Sequence, residues 1–168
     1  LKTIDEDAFW NCTALKQVML PEGVEKIGDM AFMECEMLSD VMIPASVINL
    51  GARVYDGCTG LTNIDVAPEN VNYCSEDGVL FSKDKTTLIC YPSSKEGNSY
   101  TIPDGTEVVQ LAAFDECKYL TNISIPLSVK EFGRNIMGDS GIITDCDKLT
   151  DVYYAGTKED WENILNSN

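Results

Sequence analysis

The sequence of 168 residues contains no histidine, and it has 12 lysine and arginine residues against 28 aspartate and glutamate residues. Without histidine, neither a Ser-His-Asp triad nor a Cys-His pair can form. The commonest protein ligand of zinc and iron is missing as well. The sequence also lacks a glycine-rich phosphate loop and an EF-hand pattern. We therefore expect a protein that is not an enzyme and that needs no metal and no cofactor.

The shortage of basic residues gives a formal net charge of 12 − 28 = −16. Such a charge repels the phosphates of nucleic acids and the surfaces of anionic membranes. No apolar run reaches the roughly 18 residues that a membrane-spanning helix needs. The opening stretch "LKTIDEDAF" has no basic region followed by an apolar one, so any export signal is expected upstream or already removed. We expect neither nucleic-acid binding nor membrane insertion.

The seven cysteines are an odd number, and three of them recur at a fixed interval of 23 residues. Apolar side chains keep the same distance from each of these cysteines, and the matching residues are Phe9, Phe32 and Tyr55; Cys12, Cys35 and Cys58; Leu15, Leu38 and Leu61; Val18, Val41 and Ile64; Leu20, Ile43 and Val66. Such spacing is the sequence signature of a repeat protein.

The pattern disappears after the third copy and then returns. Residues 102–126 match residues 20–44, with Cys117 at the cysteine position, and a last copy contains Cys146. This indicates about five repeats in one domain over residues 1–168, near 4–26, 27–49, 50–108, 109–131 and 132–155, with a cap at 156–168. The last repeat carries about six extra residues around "MGDSGII". Because residues 1–4 match residues 24–27, we expect the chain to be a fragment of a longer array.

The segment L-x-x-V-x-[LI]-P is short, β-branched and alternating at its end, and it therefore predicts one strand per repeat. The proline ends the strand because it has no N–H to donate. One repeat has too little core to fold alone, so the repeats must stack. The predicted fold is an α/β-type leucine-rich-repeat solenoid, mostly β and irregular, coiled right-handedly with one parallel strand per repeat. The repeated cysteines become small apolar core residues with free thiols.

The segment "IGDMAFMECEMLSDVMIP", its four relatives and the final "VYYAGTKEDWENI" together resemble the BspA-like leucine-rich repeat family of bacterial cell-surface proteins. The resemblance covers nearly the whole chain. It implies a secreted or surface-attached protein, and some members of that family are implicated in adhesion to host matrix proteins.

A long insertion, at about residues 73–100, interrupts the third repeat. Within residues 76–92, two apolar runs flank the polar stretch "SKDKTT", which predicts a β-hairpin. A turn centred on Asp84 and Lys85 would place Cys90 opposite Val79, so we do not expect a Cys74–Cys90 disulfide. The hairpin is either a cover for part of the core or a protruding recognition element.

The C-terminal stretch "TKEDWENILNS" predicts a short helix over residues 157–167. Thr157 and Asp160 have the spacing of a capping box. Trp161, Ile164 and Leu165 share one face of that helix and would seal the last repeat. The helix is therefore expected to cap the solenoid.

Binding is expected on the exposed face of the strands, because residues between the buried positions of a strand point outward. The predicted partner-binding residues are Gln17, Met19, Asp40, Met42, Asn63, Asp65, Asn122, Ser124, Asp151 and Tyr153. The set contains acids and amides but no base.

The predicted function is a non-catalytic protein-binding or adhesion module of a bacterial surface or secreted protein. A protein partner of basic character fits this face, with host extracellular-matrix proteins among the candidates, and a glycan ligand is the other option. We expect a monomer rather than an oligomer. Two alternatives stay open, namely a structural spacer within a larger surface protein and a cytosolic scaffold.

Overall fold

The computed structural model describes residues 1–133 and 142–166, with side chains to residue 165. Short strands dominate the chain. In chain order they are β1 (Thr3–Ile4), β2 (Gln17–Val18), β3 (Lys26–Ile27), β4 (Asp40–Ile43), β5 (Asn49–Leu50), β6 (Asn63–Val66), β7 (Tyr73–Glu76), β8 (Val79–Ser82), β9 (Thr87–Cys90), β10 (Ser99–Thr101), β11 (Val108–Val109), β12 (Phe114–Asp115), β13 (Asn122–Ile125), β14 (Glu131–Phe132), β15 (Ile143–Thr144) and β16 (Asp151–Tyr154). One helix, α1 (Lys158–Asn166), follows them.

The strands form a solenoid of six turns, which we call coils 1 to 6. Each coil has a back strand, in the order β1, β3, β5, β9, β11 and β14, and a front strand, in the order β2, β4, β6, β10, β13 and β16. Neighbouring strands of both kinds pair in parallel wherever they are hydrogen-bonded. The predicted mostly-β solenoid is confirmed, and the back strands add a second short strand to each repeat.

Buried columns run through the stack, as the repeat predicts. Phe32 is fully buried between the rings of Phe9 and Tyr55, whose centroids lie 5.1 and 6.0 Å from its own. Cys35 and Cys58 are fully buried too, and the Cys58 thiol donates a hydrogen bond to the backbone oxygen of Phe32, 3.1 Å away. Of the repeated cysteines, Cys35, Cys58 and Cys117 are therefore core residues, as predicted, whereas Cys146 is half-buried. The prediction is wrong for Cys12, which is exposed in the first coil; all seven thiols are free.

Coil 4 lies inside the segment that the sequence assigned to the third repeat, which is why the structure has six coils. Its back strand β9 pairs with β11, and its front strand β10 pairs with β13. Tyr91 takes the aromatic position, since its ring stacks on Phe114 at 5.3 Å. Ser94 and Gly97 stand where the other coils have cysteine and leucine. These two replacements hid coil 4 from the repeat pattern.

The insertion forms an antiparallel meander of β7, β8 and β9, and β9 joins it to the parallel back sheet. Phe81 faces Leu88, as the predicted turn requires, but a β-bulge beyond that pair shifts the register by one residue. Cys90 therefore faces Leu80, and the predicted partner Val79 is wrong. Strand β8 is fully buried at its first three residues, so the hairpin belongs to the core rather than protruding from it.

The helix α1 closes the last coil, as predicted. The Thr157 backbone N–H donates to Asp160 Oδ2 at 2.9 Å, and the Asp160 N–H donates to Thr157 Oγ1 at 3.2 Å, which completes the capping box. Trp161 and Ile164 pack against the core of coils 4 to 6. Leu165 was expected to join them but is 42% exposed. Residues 134–141, which include most of the "MGDSGII" stretch, lie outside the described residues.

Candidate binding surface

The front strands place the predicted binding residues in register from coil to coil. Gln17, Asp40 and Asn63 are direct neighbours across β2, β4 and β6. In the second half, Asn122 pairs with Asp151 across β13 and β16. Parallel, in-register strands stack equivalent side chains about 4.8 Å apart, so each set of neighbours forms a ladder on one face.

A second ladder runs beside the first. Met42 lies next to Asp65, and Ser124 lies next to Tyr153. Met19 follows β2 and is 93% exposed. The large apolar side chains of this ladder are open to solvent, with Met42 at 52% and Tyr153 at 55% exposure.

The structure divides the predicted row into two parts, because β6 and β10 do not pair. The turn between β7 and β8 stands between them, since the Ile64 N–H donates to Gly78 O at 3.0 Å and Ser75 Oγ donates to Ile64 O at 2.6 Å. Asn63 is half-buried, and its Oδ1 lies beside the backbone of Gly78. Asn122 and Ser124 are half-buried as well, so these three present less surface than predicted.

Two residues of the face were missed by sequence reasoning. Ser99 is the neighbour of Asn122, and Thr101 is the neighbour of Ser124. Both are exposed residues of β10 in coil 4. The signal was the dipeptide Ile102-Pro103 at the end of this strand, since Leu-Pro or Ile-Pro likewise ends β2, β4 and β13.

The face is acidic and uncompensated. Among the described residues of the six front strands, none is lysine or arginine. Neighbouring hydroxyl groups orient two of the carboxylates: Ser39 Oγ donates to Asp40 at 2.7 Å, and Thr150 Oγ1 donates to Asp151 at 2.7 Å. The surface is therefore able to attract a cationic segment and to accept hydrogen bonds from it.

The fully buried thiols of Cys35 and Cys58 are poorly reactive. Burial raises the pKa of Cys58 to about 12, and burial likewise raises the pKa of Cys35. A thiol that stays protonated is a poor nucleophile and a poor metal ligand. Within residues 1–133 and 142–165, no three histidine, cysteine, aspartate or glutamate side chains are arranged so that they could hold a metal ion. In the same part of the chain, no helix is long and apolar enough to cross a membrane.

Comparison with known proteins agrees with this architecture. The family model described as BspA type leucine rich repeat region matches residues 1–96 and 90–158, in six copies. No curated protein sequence matches the chain.

Solved structures of bacterial proteins are similar to this chain. A leucine-rich cell surface protein from Faecalibacterium prausnitzii A2-165 superposes with a TM-score of 0.74 at 21% identity over 98% of this chain. The pneumococcal vaccine antigen PcpA gives 0.75 at 29% identity over 91% of this chain. A leucine-rich repeat protein from Eubacterium ventriosum ATCC 27560 gives 0.58 at 21% identity over 91%. The chain spans 60%, 42% and 57% of those three chains.

Proposed function

Because the chain belongs to the BspA type leucine-rich repeat family, we propose that it is a non-catalytic binding module of a bacterial surface or secreted protein. The coarse assignment, a leucine-rich repeat protein like bacterial surface proteins, rests on the six matched repeats. The surface location is supported by two similar structures, one described as a cell surface protein and one as a vaccine antigen.

The observation that carries the proposal is the acidic ladder of the front strands. Asp40, Asp65 and Asp151 are exposed and have no basic neighbour among the described front-strand residues. Exposed methionine and tyrosine side chains lie in the same ladders, where they supply apolar contact area. A protein segment rich in lysine or arginine complements such a face, and host extracellular-matrix proteins remain among the candidate partners.

The test replaces the three aspartates together with serine and measures binding to an array of extracellular-matrix proteins and to a synthetic lysine-rich peptide. We expect the affinity to fall about tenfold at low salt. Each exposed charge contributes less than about 1 kcal/mol to the binding free energy, and the variant removes three of them. The loss should shrink as salt is added.

The matched control replaces three exposed acids away from the front strands, Asp5, Glu22 and Asp104, with serine. It changes the net charge by the same amount. Equal losses in both variants would mean that the overall charge, and not the front face, attracts the partner. If the unmodified chain binds neither the array nor the peptide, the spacer alternative replaces this proposal.

A further inference from the structure

The shortened coil 4 leaves a notch on the surface of the solenoid. In coil 5, the back strand and the front strand start 14 residues apart, at Val108 and Asn122, whereas in coil 4 they start 12 residues apart, at Thr87 and Ser99. The shorter connection is more deeply buried. Ser93 is 5% exposed, whereas Glu116, which occupies the matching position 23 residues later, is partly exposed.

Coils 3 and 5 meet over this buried stretch. The Gly57 N–H donates to Asp115 Oδ2 at 3.0 Å, a contact between residues 58 apart in sequence. Beside this contact lies a groove of about 500 Å³, whose walls come from Thr59 on coil 3, Lys118 and Tyr119 on coil 5, and Lys148 on coil 6. This volume falls within the range typical of small-molecule sites, about 300 to 1,000 Å³.

A second groove, of about 520 Å³, adjoins the first at Tyr119. It is lined by Glu96, Gly97 and Asn98, and it opens where Gly97 replaces the leucine of the other coils. Tyr119 is 45% exposed and borders both grooves. An exposed tyrosine ring offers a flat apolar face together with a polar tip.

The charges around Tyr119 are mixed. Three carboxylates, from Glu116, Asp145 and Asp147, line the first groove together with the ammonium groups of Lys118 and Lys148. Neither lysine forms an ion pair within the part of the chain that the structure describes. Both ammonium groups therefore remain able to donate hydrogen bonds to a ligand.

This combination selects for an uncharged ligand. The carboxylates repel an anion. The two ammonium groups repel a cationic ligand. The Tyr119 ring, which could otherwise attract a cation, already has the Nζ atom of Lys148 at 5.4 Å from its centroid. Hydroxyl groups both donate and accept hydrogen bonds, so a polyhydroxyl ligand can use carboxylates and ammonium groups at the same time.

We propose that the notch at coil 4 is a binding site for a neutral oligosaccharide, with one sugar in each of the two grooves and both sugars in contact with the Tyr119 side chain that lines them. The carboxylates accept from the sugar hydroxyls, and Lys118 and Lys148 donate to them. The site is separate from the acidic front-strand face and does not depend on the function proposed for that face.

The test screens the chain on an array of neutral oligosaccharides and then titrates the strongest binder in solution by calorimetry. Tyr119→Ala should weaken binding at least about tenfold, which corresponds to about 1.4 kcal/mol. Thr59→Trp, which fills the groove from the opposite wall, should weaken it as well. Trp10→Ala is the matched control, since it removes a comparably exposed aromatic side chain from coil 1, away from both proposed sites, and it should leave the affinity unchanged.

Three results would overturn the proposal. The first is that no neutral oligosaccharide binds. The second is that Tyr119→Ala binds as the unmodified chain does while keeping its melting temperature. The third is that a lysine-rich peptide, and not a sugar, binds the unmodified chain and loses this binding in Tyr119→Ala. The Asp40, Asp65 and Asp151 triple variant should keep full oligosaccharide affinity, so failure of the front-face function and failure of this site are distinguishable.

Discussion

Coils 2 and 3 repeat one geometry residue by residue, whereas coil 4 keeps the strands and discards the corner between them. The difference is visible just after the back strands, where the backbone N–H of one coil donates to the coil before it. Gly28 and Gly51 occupy this position in coils 2 and 3, and a Cβ there would lie 2.4 Å from backbone nitrogen of the preceding coil. Full-length corners therefore stack too closely for any side chain.

Among the coils that stack on a preceding coil, coil 5 has a side chain at this position, where it stacks on coil 4. Gln110 donates its N–H to Leu88 O at 2.9 Å, as Gly51 donates to Ile27 O at 2.8 Å, yet it carries a long side chain. The retracted corner of coil 4 makes the room. Gly133 restores the glycine where coil 6 stacks on the full-length coil 5, and a Cβ there would lie 2.3 Å from Leu111 N. A shortened coil thus changes the sequence rules of its neighbours.

The largest expected effect tests whether the inserted hairpin is as much a part of the core as the regular coils. Phe32 in coil 2 and Phe81 in β8 are both fully buried. We expect Phe32→Ala and Phe81→Ala each to lower the free energy of unfolding by about 3 to 5 kcal/mol, since each leaves a cavity of similar size. Denaturant titration followed by circular dichroism measures both losses.

Phe9→Ala is the control for this pair, because Phe9 is 38% exposed and stacks on one ring only. Its cost should be clearly smaller. A cost below about 1 kcal/mol for Phe81→Ala would break the comparison, because it would make the hairpin an appendage rather than a core element.

A smaller effect tests the acidic contact between coils 3 and 5. Burial raises the pKa of Asp56 to about 6. The ion pair of Asp56 with Arg53, at 2.5 Å, lowers this pKa and offsets part of the effect of burial. Asp115 and Glu116 of coil 5 raise the same pKa through like charge. The folded state thus favours the protonated acid, compared with an ordinary value of 3.8.

Protonation of Asp56 therefore stabilises the folded state. This stabilisation is complete below about pH 4 and is lost as the pH rises through about 6. The unfolding free energy of the unmodified chain, minus that of Asp56→Asn, should fall by about 2 to 3 kcal/mol between pH 4 and pH 7. The subtraction removes the titration of the other acids. A difference that stays constant across this range would mean that Asp56 is not desolvated at the coil junction.

Regular repeats were predictable because each position has one packing environment. Cys35, Cys58 and Leu38 were assigned to the core from spacing alone, and all three are fully buried. The helix cap was predictable for a similar reason, since Thr157 and Asp160 form a local motif that needs no distant partner.

Coil 4 was not predictable in this way, because it is recognised by how its strands pair with those of coil 5 and not by its residue types. Ser94 and Gly97 break the two strongest repeat positions, and the connection is two residues shorter. The notch depends on residues that are missing, so no motif marks it. The predicted exposure of Asn63 on the front face was wrong for a related reason, since the burial of this side chain depends on the turn at Gly78.

The direct contact between coils 3 and 5 is tested most closely by amide hydrogen exchange at Gly57. The Gly57 N–H donates to the Asp115 side chain, whereas the matching N–H of Glu34, one coil earlier, donates to the backbone oxygen of Asp56 at 2.8 Å. In the unmodified chain both amides should be protected. In Asp115→Ala, Gly57 should lose its protection while Glu34 keeps it; unchanged protection of Gly57 would contradict the meeting of the two coils over the shortened coil 4.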